Sequence, residues 1–386
     1  MIKNSGRGFI TATLVLIAVV CELSMFAQTQ DSTAFARARH LQHGINASQW
    51  FYRWDRDYSV QRLETYITAD DIALIAAAGF DHVRLDIDAD PLALWLTSSQ
   101  WGGGTTAFVT QLDRTVKLIL DHHLSVVIQI HPQNSYKLQL RQGATNVPQF
   151  NELWRALAAH FASTDPEHVF FGIMEEPFQD DTYHWQGIQN EVARTIRTEA
   201  PQHTIIATGD RLSTLDDLLA IEPIGLSNVI YEFHFYQPHA FTHQGADWNS
   251  VFLKPLRQIP YPSSPEGLSS KLNEEPTIGG KYFLAQYGLE GWDRARLEAM
   301  IAYAAKWSQF NHVPVCCSEF GAMRLYAEPS MRAQYLHDVR VALEENHIGW
   351  AMTEYDGSFG LVTKANGVAK PDREVLRALG LDRPTN

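Results

Sequence analysis

Ser125-Val126-Val127-Ile128-Gln129-Ile130-His131 and Val169-Phe170-Phe171-Gly172-Ile173-Met174 are short, almost continuous apolar runs. Such a run suits a strand of a parallel sheet covered on both faces, because neither face then has to meet water. Six more segments read as strands: Leu41–Ala47, His82–Ile87, Thr204–Gly209, Val229–Tyr236, Pro314–Phe320 and Gly349–Tyr355. Segments of helical period alternate with them. Asp70–Ala78 follows Thr68 as a cap, and Thr106–His122 carries Phe108, Leu112, Val116 and Ile119 on one face. Pro148–Ala162, Thr182–Glu199, Leu215–Ile221, Arg294–Phe310, Ser330–Asn346 and Asp372–Leu379 continue the pattern. Eight strands with helices between them, in about 340 residues, predict α/β architecture as a single (β/α)8 TIM barrel. The barrel is expected over residues 41–386, after a tail at 28–40. A doubly wound open sheet is the competing arrangement, but no glycine-rich phosphate loop follows the first strand. Gly102-Gly103-Gly104 has no strand before it and reads as a turn. The long connection after the sixth strand, Gln237–Trp292, has the length of a functional loop.

Composition narrows the function classes. The 386 residues are 45% hydrophobic and 19% charged, which excludes a disordered chain. A formal net charge of −13 without a basic block argues against nucleic-acid binding. Lys3 and Arg7, the apolar run from Phe9 to Val20 and Ala27 at the end of Ser24-Met25-Phe26-Ala27 read as a signal peptide over residues 1–27. The protein is therefore expected to be secreted, extracellular or periplasmic, with no membrane segment after signal removal and as a monomer. Cys316 and Cys317 are adjacent in an apolar run, so core packing rather than a disulfide is expected.

In a barrel of this type chemistry sits at the C-terminal ends of the strands. Those ends carry Arg84 and Asp86, His131, Glu175-Glu176, His234 and Tyr236, Glu319, and Trp350 with Glu354. Carboxylates on the fourth and seventh strands face one mouth. That pair suits retaining glycoside hydrolysis, in which one carboxyl shuttles a proton and the other attacks the anomeric carbon. Neither a metal-ligand spacing nor a cofactor motif is present, so no metal and no cofactor are expected. Asp86, Asp88 and Asp90 read as the start of a solvated loop. Asn46-Ala47-Ser48 matches a glycosylation tripeptide by chance. Trp50, Trp95, Trp101, Trp185, Trp248 and Trp292 lie in or near loops and are candidate sugar-stacking rings.

These motifs, in this order, resemble glycoside hydrolase family 5, a clan A family of retaining β-glycosidases on the (β/α)8 fold, from about Leu41 to Val362. Phe170 to Pro177 is similar to the family's strand ending in Asn-Glu-Pro, which implies Glu176 as acid/base. Ser318-Glu319-Phe320-Gly321 is similar to the nucleophile segment, which implies Glu319. The resemblance further implies Arg84 supporting the nucleophile and holding it ionised, and Glu176 holding its proton through a raised pKa. It implies His131 lining the sugar site, Tyr236 touching the nucleophile, and His234 beside the acid/base. Phe241 to Trp248 resembles a segment common in bacterial members. Two departures stand out. Glu175 replaces the Asn that binds the sugar 2-hydroxyl. In Trp350-Ala351-Met352-Thr353, Thr353 replaces the second Trp of a Trp-x-x-Trp pattern, leaving Tyr355 or a loop aromatic to supply the platform. The implied activity is that of an endo-β-glycanase, an endo-β-1,4-glucanase, on a β-linked polysaccharide or oligosaccharide. Its substrate-binding residues are Arg84, His131, Glu175, His234, Tyr236 and Trp350. The long loop admits an exo-β-glucosidase or a transglycosylase, and Glu175 with Thr353 admits a non-catalytic carbohydrate-binding barrel.

Overall fold

The computed structural model describes residues 33–100, 106–142, 146–248 and 250–382. The expected signal segment 1–27, the first part of the expected tail, Trp101 and the 102–104 glycines lie outside them. All eight expected strands are present as β1 (His43–Asn46), β2 (His82–Ile87), β3 (Ser125–Ile130), β4 (Val169–Gly172), β5 (Thr204–Thr208), β6 (Val229–Phe235), β7 (Val315–Phe320) and β8 (Gly349–Met352). They pair in sequence order, and β8 closes on β1. Every pairing is parallel. An open sheet is thereby excluded.

Two apolar layers follow from the two faces of each strand. Val127, Phe170, Ile206, Ile230 and Cys316 point inward and, with Leu41, plug the bottom of the barrel. The alternate residues, such as Val126, Phe171, Ile205, Tyr231 and Cys317, face the helices in a much larger cluster. Two residues further up each strand, the lumen turns polar at Arg84, Gln129 and Glu232, all buried. The apolar plug thus forms a floor beneath a charged layer.

The helices form for local reasons. Thr68 accepts from Asp71 N and Asp71 returns a bond to Thr68 N, a reciprocal cap for Ala69–Ala78, which ends on left-handed Gly79. Ala107–Asp121 is capped by Thr106 and buries Phe108, Leu112, Val116 and Ile119. Thr182–Glu199 is capped by Asp181 and buries Trp185, Ile188, Val192 and Ile196 at helical spacing.

Several elements differ from the sequence reading, among them an unexpected short helix at Val60–Thr65. The Asp86–Asp90 stretch is not a solvated loop start, because Ala89–Gln100 is a helix. Asp88 is fully buried and accepts from Tyr58 Oη, from Gln133 Nε2 at 2.5 Å and from Asp90 N at 2.9 Å. Polar Asp90, Thr97, Ser98 and Ser99 had masked the helical period. Asn134–Gln142 also forms a helix. Segment 237–292 holds helices at His239–Thr242, Ser269–Glu274 and Ile278–Glu290, so it is a folded excursion. After β8 the chain forms a hairpin of β9 (Val362–Ala365) and β10 (Val368–Pro371).

The hairpin is tied to the barrel through Asp71. Its carboxylate accepts from Tyr355 Oη at 2.6 Å and from Lys364 Nζ at 2.7 Å. The same carboxylate accepts from Thr68 N and Oγ1, and removing it leaves these donors without their acceptor, so Asp71→Ala should cost about 2–4 kcal/mol. Urea unfolding checks this, and a loss under about 1 kcal/mol would contradict the anchoring role. Cys316 and Cys317 are free and buried. Among the described residues no helix is long and apolar enough to cross a membrane.

Candidate active site

Arg84 on β2 organises the barrel mouth. It is 2% exposed. Its Nη1 donates to Asn46 Oδ1 at 2.5 Å and to Glu319 Oε1 at 3.3 Å. Its Nη2 donates to Gln129 Oε1 and to Glu175 Oε2, both at 2.6 Å, and reaches Glu232 Oε2 at 3.4 Å. Gln129 Nε2 donates to Glu175 Oε2 at 2.9 Å and to Glu232 Oε1 at 3.1 Å. Gly172 makes room for this amide, since a Cβ there would lie 2.7 Å from Gln129 Oε1. Asn46 also donates to the carbonyls of Ser318 and Met352 at 2.9 and 3.2 Å. This buried bracket is the role of the residue in the glycosylation-like tripeptide.

A bulge delivers Glu319. Strand alternation with Cys316 inward would point 318 and 320 into the lumen and 319 outward. The register instead jumps from Phe233–Cys317 to His234–Glu319, and on the other side from Cys317–Trp350 to Phe320–Met352. One extra residue in β7 re-aims Glu319 into the mouth and leaves Phe320 in the outer shell. Tyr236 Oη donates to Glu319 Oε2 at 2.7 Å, and the Thr353 hydroxyl lies 2.8 Å from the same Oη. With the tyrosine proton spent on the carboxylate, Thr353 is left to donate to the tyrosine oxygen.

The loop after β4 supplies Glu175 and Glu176. Glu176 has φ of 45°, a left-handed conformation that is sparsely populated for a residue with a Cβ. His234 Nδ1 is 3.5 Å from Glu176 Oε1 and 3.7 Å from Glu319 Oε2, while Nε2 is 3.6 Å from Glu175 Oε1. One oxygen each from Glu175, Glu176 and Glu319, with a His234 nitrogen, lie within 4.8 Å of one another.

The electrostatics differ from the expectation in two respects. Glu319 is not held ionised. Burial, then the neighbouring Glu175 carboxylate, push it up to about 8 against the pull of His234 and Arg84. Arg84 is shared among several acceptors and sits closer to Glu175 than to Glu319. Nor is the pKa of Glu176 raised: burial opposes its ionisation, but His234 outweighs burial and holds Glu176 below the ordinary carboxylate range. Glu175 is likewise held low, by Arg84 and His234 against burial. Burial lowers His234, but Glu319 and Glu175 raise it more, to about 10. The carboxylates titrate as a set, and the free site keeps its proton on the Glu319 side.

His131 stacks on Tyr52 with ring centroids 3.6 Å apart, and its Nδ1 is 3.7 Å from Asp86 Oδ2. Burial drives its pKa down to about 3, so it is a neutral ring. Trp350 is misplaced in the sequence reading. It is 1% exposed and pairs with outward-facing Cys317, packing on Phe320 and Phe80 in the helix layer. Parallel partners share a face, so a residue beside Cys317 cannot enter the mouth. Tyr355 is no platform either, being buried on Asp71.

Asp86, His131, Glu175, Glu176 and Glu319 line a cleft of about 610 Å³ with Tyr52, Trp54, Tyr66, Trp248 and Phe359. Of the candidate tryptophans, Trp248 is 58% exposed, whereas Trp50, Trp95, Trp185 and Trp292 are buried. Trp54, at 64% exposed, was missed, as were Asn46, Gln129, Glu232 and buried Lys137. The aromatic run Trp50-Phe51-Tyr52-Arg53-Trp54 right after the first strand was the signal available for Trp54.

Comparison with known proteins gives a consistent picture. A family model described as Cellulase (glycosyl hydrolase family 5) matches residues 42–356. The chain is 29% identical over 343 residues to Endoglucanase 3 of Fibrobacter succinogenes, covering 84% of this chain and 51% of that protein. It therefore spans about half the length of that relative. It is 27% identical over 318 residues to Endoglucanase C of Acetivibrio thermocellus, covering 81% of this chain and 90% of that protein. The crystal structure of endoglucanase Cel5A from Thermotoga maritima superposes with a TM-score of 0.70 at 24% identity, covering 90% of this chain and 99% of that one. At that identity the likeness concerns the fold.

Proposed function

The chain belongs to glycosyl hydrolase family 5, and from that premise we propose that it is a secreted retaining endo-β-glycanase acting on β-1,4-glucan. The observation that carries the reading is the placement of Glu176 and Glu319, with carboxylate oxygens within 4.8 Å of each other. Retaining enzymes hold their two carboxyl groups about 5–5.5 Å apart, whereas inverting ones need about 6.5–9.5 Å to admit a water. The names of the relatives support endo action, and the aromatic rings along the cleft offer faces for consecutive sugars.

In this reading Glu319 attacks the anomeric carbon while Glu176 protonates the departing oxygen. Glu176 then deprotonates the water that releases the sugar from Glu319. Tyr236 and Arg84 hold the attacking carboxylate. Substrate binding has to move the resting proton from Glu319 to Glu176, and His234 Nδ1 faces both carboxylates along that route. Release of reducing ends from barley β-glucan, hydroxyethylcellulose, glucomannan and xyloglucan tests the proposal. No release from any of them would sink it, and viscosity falling ahead of end release would support endo action. Export is part of the same reading, and the mature protein should begin at Gln28 when its N-terminus is sequenced.

Two further outcomes follow. The active form carries one proton on the carboxylate set, so kcat/KM should fall above about pH 8, where Glu319 loses it. Glu175→Gln removes the charge that raises Glu319 and frees Arg84 for it. The alkaline limb should then move to lower pH, and an unchanged limb would contradict the coupling. Trp248→Ala removes an exposed ring of the cleft. It should raise KM several-fold, in line with about 1 kcal/mol of lost stacking, with a smaller change in kcat.

A further inference from the structure

Outside the cleft, the excursion after β6 carries a helix that is apolar on both sides. Helix Ile278–Glu290 buries Leu284 and Tyr287 against the rest of the excursion. There Tyr287 Oη donates to Pro260 O at 2.6 Å, and the Ser263 hydroxyl donates to Tyr287 O at 2.8 Å. The opposite side carries Ile278, Tyr282, Ala285 and Leu289. These stand at i, i+4, i+7 and i+11 and share a stripe about 60° wide. Ile278 is 89% exposed and Leu289 72%. Val251 and Phe252, also exposed, extend the stripe beside the first turn. The Phe252 ring stacks on Phe283 with centroids 6.1 Å apart, and a Cβ at Gly279 would lie 2.6 Å from it. Lys281, Gln286 and Glu290 are the only charged or amide side chains of the helix. A helix apolar all round is normally covered on every side, because no face of it gains from meeting water.

The chemistry of the stripe selects what covers it. Val251, Ile278 and Leu289 offer no ring face on which a sugar could stack. Lys281 is the one cation of the helix, too little for an anionic membrane, and the chain's net charge of −13 opposes that approach. A protein face remains, and the stripe fits its own copy. An antiparallel pair about a two-fold axis between residues 285 and 286 sets Tyr282 against the partner's Leu289, and the reverse. The small Ala285 lies at the crossing, where two helices approach most closely. Such a contact is isologous and closed, so assembly stops at two copies. Val251, Phe252, Ile278, Tyr282 and Leu289 together leave roughly 600 Å² of apolar surface in water, the top of the range for a monomer's largest patch. Pairing buries about 1,200 Å² from both copies, the lower bound of a specific interface.

We propose that helix Ile278–Glu290 is a dimerisation surface, on which a second copy of this chain seats the same stripe in antiparallel, two-fold symmetric contact. The dimer stands in place of the monomer expected from the sequence. It is independent of the glycanase reading, since none of the stripe's residues lines the cleft.

Sedimentation equilibrium of the full chain between about 1 and 100 µM tests the proposal. The wild type should reach twice the chain mass within that range. Ile278→Arg and Leu289→Arg should each weaken association at least tenfold, because each sets a charge into an apolar contact. Phe310→Arg should leave association unchanged, since Phe310 is equally exposed but lies on the Arg294–Asn311 helix. A wild type that stays monomeric at the highest concentration overturns the proposal. So does a dimer that Ile278→Arg and Leu289→Arg leave intact, or one that Phe310→Arg disrupts as strongly. Crosslinking gives a second readout that does not depend on the arginine variants folding. The two-fold axis brings residue 285 close to its own mate, so Ala285→Cys should give a disulfide-linked dimer on mild oxidation. Tyr303→Cys, on the exposed side of the Arg294–Asn311 helix, should not. No linkage through position 285, or equal linkage through both positions, overturns the proposal.

Discussion

Glu319→Ala should lower kcat/KM on a β-glucan oligosaccharide by roughly 10⁴-fold or more, the scale seen when a covalent nucleophile is removed. No nearby group can substitute. Glu175, the carboxylate next to it, has one oxygen held by Arg84 and Gln129 at 2.6 and 2.9 Å. Tyr236, at 2.7 Å from Glu319, keeps its proton because burial, the largest cause of its raised pKa, persists when the carboxylate is removed. The fold should survive. Removing a buried carboxyl whose pKa is pushed up to about 8 relieves crowding among acids, so the unfolding temperature should hold or rise. Azide can occupy the space left by the side chain, and the variant should then form a glycosyl azide of inverted configuration. A variant that keeps more than about one hundredth of wild-type kcat/KM would exclude Glu319 as the nucleophile.

Glu176→Ala should have the second largest effect, and its signature is selective. Proton donation to the leaving oxygen contributes about 10²–10⁴-fold, so unactivated oligosaccharides should lose that much. An aryl glycoside with a strongly acidic phenol leaves without help, and its glycosylation step should be nearly unimpaired. The dependence of rate on leaving-group pKa should therefore steepen sharply in the variant. A flat dependence, with all substrates slowed alike, would assign proton donation elsewhere. The neighbouring carboxylates sharpen this test. Glu176 meets His234 at 3.5 Å, so His234 loses a counter-charge when Glu176 is removed, and the pH profile of the residual activity should move with it.

The barrel was legible because its determinants are local. Runs such as Val126–Ile130 and capped helices such as Thr182–Glu199 carry their own period and their own ends. Order along the chain then supplied the closed sheet. The helix at Ala89–Gln100 was hidden because three serine or threonine residues and Asp90 broke its apolar stripe, and its side chains are held by the neighbours on which it packs. The mouth was legible in part, because strand ends advertise their polar residues. The direction of a side chain was not. Glu319 points inward only through the extra residue in β7, and periodicity alone would have sent it outward. Trp350 pairs with Cys317 just before that bulge, on the outer face. Asn46, Gln129 and Glu232 escaped notice because their importance lies in bonds to Arg84 across 38, 45 and 148 residues of sequence. The protonation pattern depends on how Arg84 is divided among five acceptors, and that division exists only once the barrel closes.

The central claim is double displacement through Glu319, and the stereochemistry of the first-formed product tests it most directly. Proton NMR of fresh cellohexaose hydrolysate should show the β-anomer accumulating first, with the α-anomer appearing only at the rate of mutarotation. An α-anomer formed first would mean single displacement by water and would contradict the account.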